Sequence, residues 1–251
     1  MAYKIGTDSI PRSEPSSWDV EYNNVNAAGD GFWINGIMLE AGGNGSATPG
    51  DVYYDEVRMA GSWYDLLVIP TPRVIYDWFA ASDGTRLYNG SGGDLWGTNL
   101  WSCVDDDNHL YEADSFTDTY WSHAAMSGNK IQLVAMDNNS ERWATRNFET
   151  RFTSGAVYFS WIQNYDHAAG PNNAYAGGWI YDGTNALAFV GKAPGTNVLA
   201  VLVDLYNPAA VDNAYATGAN GWGVITNGSG NDYVIAAKYD FESHKLYRSE
   251  E

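Results

Sequence analysis

The residues best suited to chemistry in this chain are carboxylates and aromatic rings. Asp105, Asp106 and Asp107 are consecutive, and Asp114 and Asp118 follow. Adjacent carboxylates repel unless water or a hard cation separates their charges, and calcium takes oxygen ligands of this kind. The run reads first as a solvated loop. Its specific alternative is a Ca2+ site built from Asp105, Asp106, Asp107 and Asp114, without the turn glycine of an EF-hand. The histidines, His109, His123, His167 and His244, lack the close spacing of zinc motifs. Ser122 beside His123 is a sequence neighbour pair, and a triad assembles in space around an orienting acid.

Aromatic rings can stack on sugars, and this chain has many: 11 Trp, 18 Tyr and 8 Phe. In RWATRNFETRF, Trp143 shares a face with Thr145, Asn147 and Glu149, so it is the best placed of the rings to meet a ligand. Trp179 and Tyr181 stand beside the DGT turn at 182–184. Trp96 and Trp101, with Trp121, anchor an irregular, acidic, glycine-rich stretch over 81–128. By contrast, Trp161 lines up with Val157 and Phe159 and belongs to the core.

These residues need a scaffold, and the chain reads as strands almost throughout. In DYVIAAKYDF, Tyr233, Ile235, Ala237, Tyr239 and Phe241 share one face while Asp232, Lys238 and Asp240 share the other. Similar runs cover 31–39, 51–59, 73–80, 130–136, 142–152, 155–163, 185–191 and 198–206. The last is nearly continuous apolar, as expected of a central strand covered on both sides. Breakers such as DG, NG and SGG separate the runs. Only 114–126 leaves room for a short helix. The pattern predicts an all-β fold, a two-sheet antiparallel β-sandwich.

At 251 residues, 45% of them hydrophobic, the chain can bury one large core. Its 31 acidic and 13 basic side chains give a formal charge of −18. Such a surface repels phosphate backbones and anionic headgroups, which argues against nucleic-acid and membrane-surface partners. No run of eighteen apolar residues is present, so membrane insertion by a helix is not expected. Cys103 is the only cysteine, so no internal disulfide can form. The opening MAYKIGTDSIPRSEPSSWD has no apolar signal core; an exported form would carry its signal elsewhere. Sequons occur at Asn44, Asn89, Asn138 and Asn227.

YYDEVRMAGSWYDLL, residues 53–67, resembles the closing strand of concanavalin A-like lectin/glucanase jelly rolls, in particular the laminin G-like domains of bacterial extracellular proteins. Tyr54, Asp55, Glu56, Val57, Arg58, Ser62 and Trp63 carry the likeness. WFAASDGTRLYNGSGGDLWGTNLWS, 78–102, resembles the opening of such domains, and GAVYFSWIQNYD and LAFVGK resemble middle strands. The order is permuted: 3–69 would supply closing strands, an otherwise missing edge, and 73–248 the opening and middle ones of a single jelly-roll domain. SHKLYRSEE would lead naturally into AYKIGTDSIPRSEP. A circular permutant, a unit of a tandem array, or a subunit donating residues 3–69 head to tail to a copy of itself would each fit, and the IPTP linker at 69–72 separates them.

The resemblance implies a non-catalytic, lectin-like module binding polysaccharide or glycan at an extracellular or cell or virion surface. A structural subunit of an extracellular filament or virion, assembled by strand exchange through residues 3–69, is the rival. Glycoside hydrolysis comes third: such enzymes place Glu, Asp and Glu on one strand face, and here Glu112 and Asp114 are followed by Phe116.

Overall fold

The computed structural model describes residues 2–4, 13–14, 16, 20–22, 33–43, 51–67, 74–77, 101–103, 109–112, 130–133, 141–166, 174–181, 186–192, 199–202, 232–243 and 245–248. In chain order the elements are β1 (Ala2–Lys4), β2 (Val20–Tyr22), β3 (Ile34–Gly43), β4 (Asp51–Ala60), α1 (Trp63–Leu67), β5 (Val74–Asp77), β6 (Ser102–Cys103), β7 (His109–Glu112) and β8 (Lys130–Leu133). Then follow β9 (Glu141–Phe152), β10 (Ala156–Asp166), β11 (Ala174–Tyr181), β12 (Ala186–Lys192), β13 (Leu199–Leu202), β14 (Asp232–Asp240) and β15 (Lys245–Arg248).

They form two antiparallel sheets. The larger has the order β2-β15-β14-β10-β4-β8-β7, with β1 also on β14 and β5 also on β4. The smaller has the order β13-β12-β11-β3-β9-β6. Consecutive strands β3 and β4 lie in different sheets, as do β9 and β10, and the core fills the space between. Ile37, Leu39 and Phe148 from the smaller sheet and Val57, Phe159 and Ile235 from the larger belong to one buried cluster. The all-β, two-sheet sandwich expected from the alternation is the fold.

Within residues 3–69, β2 stands at the edge of the larger sheet, on β15, whereas β3 and β4 are interior: β3 pairs with β11 and β9, and β4 pairs with β10, β8 and β5. One expectation about position changes. The strand beginning at Leu199 closes the described order of the smaller sheet instead of lying at its centre. An apolar run requires only that both faces be covered, and an outer strand satisfies that too.

The two sides of the 69–72 linker meet within the chain. Val57 faces Asp77 and Ala60 faces Val74 across the β4–β5 ladder; residues 68–73 lie outside the described ones. Along β14, Arg248 stands opposite Ala237 and Ala2 opposite Ile235. β15 and β1 therefore run in one line, in the same direction, with a gap only opposite Ala236.

The DEVR segment is a bulge with its supports. Between the β8 and β5 halves of β4's ladder, β4 holds one residue more than β10 opposite it. Glu56 there has φ 52°, a costly conformation for a side chain with a Cβ. Its N–H is met at 2.7 Å by the Asp55 carboxylate. Arg58, wholly buried, donates to Glu56 at 2.6 Å and to the Leu66 carbonyl at 3.3 Å, tying α1 to the sheet. Ser62 caps α1: its hydroxyl accepts the Asp65 N–H at 3.1 Å and donates to the Asp65 carboxylate at 2.7 Å. Trp63 then meets the Tyr158 ring edge-on, 6.0 Å between centroids.

Tyr158 also donates to Glu14 at 2.8 Å, and Lys238 donates to the same carboxylate at 2.7 Å. Burial, then the neighbouring Glu14, pushes the Tyr158 phenol well above its ordinary range. At the end of β14, burial alone would raise the Asp240 carboxyl. The N–H groups of Ser243 and Glu242, which it accepts at 3.0 and 2.9 Å, and Lys238 outweigh that and lower it.

Arg58→Leu removes the guanidinium from a buried carboxylate and is expected to destabilise by about 3–5 kcal/mol in denaturant unfolding. A loss below about 1 kcal/mol would mean that Glu56 is solvated in the native state. Because the Asp240 carboxyl is lowered in the fold, its contribution is present at neutral pH and lost as pH falls through its folded value. Asp240→Asn should therefore flatten the acid limb of the stability profile, measured by thermal melts between pH 2 and 6.

Candidate functional site

The outer face of the smaller sheet gathers three of the aromatic residues that the sequence singled out, Trp143, Trp179 and Tyr181. Alternation sends Ile37, Leu39 and Ala41 of β3 into the core and Met38 and Glu40 outward. Strand registers then build a grid. Trp143, Glu40, Gly177 and Gly191 form the first row. Thr145, Met38, Trp179 and Phe189 form the second. Asn147, Gly36 and Tyr181 form the third.

The floor of this face is buried: Met38, Trp179 and Phe189 make one cluster, with the Trp179 and Phe189 rings tilted 57° at 5.2 Å. Trp143 and Tyr181 pack against it and remain half-buried, as do Thr145 and Asn147. Glycines make the floor possible. A Cβ on Gly177 would stand 2.7 Å from the Phe189 ring, so that ring lies over bare backbone. A Cβ on Gly36 would run into Asn147 Oδ1 and the Tyr181 Cβ, so those two side chains close over it.

One acidic side chain sits in this floor. Glu40 is 2% exposed, and its carboxylate accepts the Trp179 indole N–H. Its backbone carbonyl accepts the Tyr54 hydroxyl at 2.5 Å, coming from the other sheet, and Tyr54 reaches the Gly177 carbonyl at 3.2 Å as well. Glu40 is therefore held from both faces of the sheet, its carbonyl by Tyr54 and its carboxylate by Trp179. Sequence reasoning did not single out Glu40; the available signal was a lone acid between Leu39 and Ala41 in an otherwise uncharged strand.

The remaining predicted residues separate. Trp179 lies on the right face but is wholly buried, so it offers no ring to a ligand; its N–H needed an acceptor, and Glu40 supplies it inside the floor. Trp101 is likewise 2% exposed and sits between the sheets, donating to Asp77 at 2.9 Å. Arg146 from β9 donates to the same Asp77 oxygen, and its guanidinium lies 6.0 Å from the Trp101 ring. Those three groups are a buried tie between β5 and β9, away from any ligand face. Trp96, Asp105, Asp106, Asp107 and Asp114 lie outside the described residues. Among the described residues no group of three or more His, Cys, Asp or Glu is placed to hold a metal ion, and no helix is long and apolar enough to cross a membrane.

Compared with known protein families, with curated proteins and with solved structures, the chain matches none. What stands from the resemblance is its architecture, the two-sheet β-sandwich.

Trp179→Ala should remove a floor ring and cost about 3–5 kcal/mol, whereas Trp143→Ala at the half-buried rim should cost less than half as much. Equal losses, measured by denaturant titration, would place both rings in the core and leave the face without a platform.

Proposed function

We propose that the chain is a non-catalytic, lectin-like recognition module that binds carbohydrate on the outer face of its smaller sheet. The observation that carries this reading is the pair of half-buried rings, Trp143 and Tyr181, packed against a rigid aromatic cluster, with the hydrogen-bonding side chains Thr145 and Asn147 following Trp143 along the same face of β9. Sugar sites combine an apolar face for the C–H surface of the ring with a few fixed polar groups for its hydroxyls. Preorganisation supports the same reading, since Trp179, Phe189 and the glycines leave the floor little freedom to rearrange.

Hydrolysis would need a carboxylate pair across the scissile bond. The cross-strand neighbours of Glu40 are Trp143 and Gly177. A surface location, extracellular or on a cell or virion, fits glycan recognition and a strongly acidic chain. Calcium enters this proposal only through Asp105, Asp106, Asp107 and Asp114; a melting temperature unmoved by added calcium removes it.

Assembly by exchange of residues 3–69 comes second. It would hand the interior strands β3 and β4 to a neighbour and leave each chain without a closed core until assembly. The lead reading expects a folded monomer on dilution to nanomolar concentration, and a loss of sheet signal on dilution would favour exchange.

Screening on a glycan array should give retention by the monomer, and Trp143→Ala should weaken it about tenfold or more, the equivalent of one lost stacking contact. Retention unchanged in Trp143→Ala, with the variant folded, would remove this face from the proposal.

A further inference from the structure

The larger sheet carries an arm along one margin. β1 pairs with β14 over Ala2–Lys4 and β2 with β15 over Val20–Tyr22, whereas β10 pairs with β14 from Ala156 to Asn164 and with β4 from Tyr158 to Asp166. Between the two short strands, the Glu14 carboxylate accepts from the Tyr158 hydroxyl at 2.8 Å and from the Lys238 ammonium at 2.7 Å. That ion pair is partly exposed, so water and salt compete for both partners. The ties that fasten sheet to sheet start from Tyr54, Gln163 and Arg146, on β4, β10 and β9.

A segment held by short outer ladders opens at lower cost than the body that holds it. Opening would bare the backbone of β14 at Tyr233, Val234 and Ile235, a template for an added strand. It would also take Glu14 from Tyr158, which is buried although its strand neighbours Val157 and Phe159 are the ones in the core.

The slot left behind has a defined register. β15 fills the same side of β14 as far as Arg248, opposite Ala237, so an incoming strand has room only beyond that point. β1 already fits there, and a second copy of the chain supplies the same β1, Glu14 and β2. The pairing lost on opening is regained between copies, which makes exchange of an identical element a low-cost route to association.

We infer that residues 2–22 form an exchangeable arm, which leaves β14, β15 and Tyr158 of its own chain and fills the same places on a second copy while the sandwich from β3 to β15 stays closed. This differs from exchange of the whole 3–69 segment, because β3 and β4 keep their own partners. It does not rest on the carbohydrate reading, since the arm contributes no strand to the smaller sheet.

The test uses the full chain with Cys103→Ser as background, so that introduced cysteines are the only thiols. Tyr3 stands opposite Val234, and Glu21 opposite Tyr247; opposite residues of an antiparallel pair lie within disulfide reach. One preparation carries Tyr3→Cys and a size tag, the other Val234→Cys. A second matched pairing uses Glu21→Cys with Tyr247→Cys, and a mismatched control uses Tyr3→Cys with Tyr247→Cys. Each pair is mixed at high protein concentration and high salt, where the −18 charges of the copies are screened, then oxidised and separated without reductant.

Both matched pairings should give cross-linked product more than about tenfold above the mismatched one, because strand pairing raises the local thiol concentration. Tyr3→Pro, which removes a ladder N–H, should lower the Glu21 and Tyr247 product severalfold while circular dichroism still reports a folded sheet. Matched product no greater than mismatched overturns the exchange. Unfolding of the whole chain by Tyr3→Pro overturns it as well, since the arm would then belong to the closed body. Loss of sheet signal on dilution overturns it in favour of exchange through 3–69. None of these results alters glycan retention, which the array measures separately, and each matched pairing decides alone should a variant of the other misfold.

Discussion

The phenol of Tyr54 connects the core of this protein to its outer face. It rises from β4 in one sheet and ends on two backbone carbonyls of the other, those of Glu40 and Gly177. Stacked sheets lie about 10 Å apart, a gap that apolar side chains fill without fixing any particular sliding position. A hydroxyl that must land on two carbonyls does fix it, because a buried hydroxyl that misses them goes unpaired. Gln163 repeats the device from β10. It donates to the Ala176 carbonyl at 3.2 Å and accepts the Trp161 indole N–H at the same distance. The Asp77, Arg146 and Trp101 group does so a third time with charge. These ties set the relative position of β3, β11 and β9, the strands that display the grid of rings.

The Gly177–Gly178 pair explains how one strand can serve both sides of the smaller sheet. Gly178 faces inward, where a Cβ would stand 2.9 Å from the Trp161 ring, and Gly177 faces outward beneath Phe189. Large rings thus press on β11 from above and below at adjacent positions. Neither could approach so closely over a side chain, and the Tyr54 bond to the Gly177 carbonyl holds the strand in place between them. Glu40 continues the same chain of constraint, with its carbonyl anchored to the core and its carboxylate anchoring Trp179.

Sequence periodicity revealed the strands wherever alternation ran unbroken. β4, β9, β10, β12 and β14 all lie within a residue or a few of their expected ranges, because an inward residue every second position is both the pattern and its physical cause. β11 did not show in that way. AYAGGWIY places two glycines where alternation would show a large and a small residue, and the rings they receive come from β10 and β12, far away in sequence. Pairing order was equally hidden, since β4 reads the same whether it is an edge or an interior strand. On the outer face, the half-buried positions of Trp143 and Tyr181 agree with what their sequence neighbours suggested. The burial of Trp179 was not legible, because it depends on an acceptor from β3 and a ring from β12.

The order of strands along the chain matters less to this architecture than the ties between its sheets. The larger sheet is broken along two lines: β8 and β5 share one side of β4, and β15 and β1 share one side of β14. Each of these outer strands contributes only its own few ladder bonds, so a break between two of them costs little more than those bonds. The first break is held by the Asp55 and Glu56 bulge; the second falls where β15 stops and β1 resumes its line. The inner strands admit no such break. Tyr54 on β4, Gln163 on β10 and Arg146 on β9 reach across the core, and moving any of them would unfasten the opposite sheet. An early place in the sequence is therefore compatible with an interior place in the fold: the position of 34–60 follows from where Tyr54 must land.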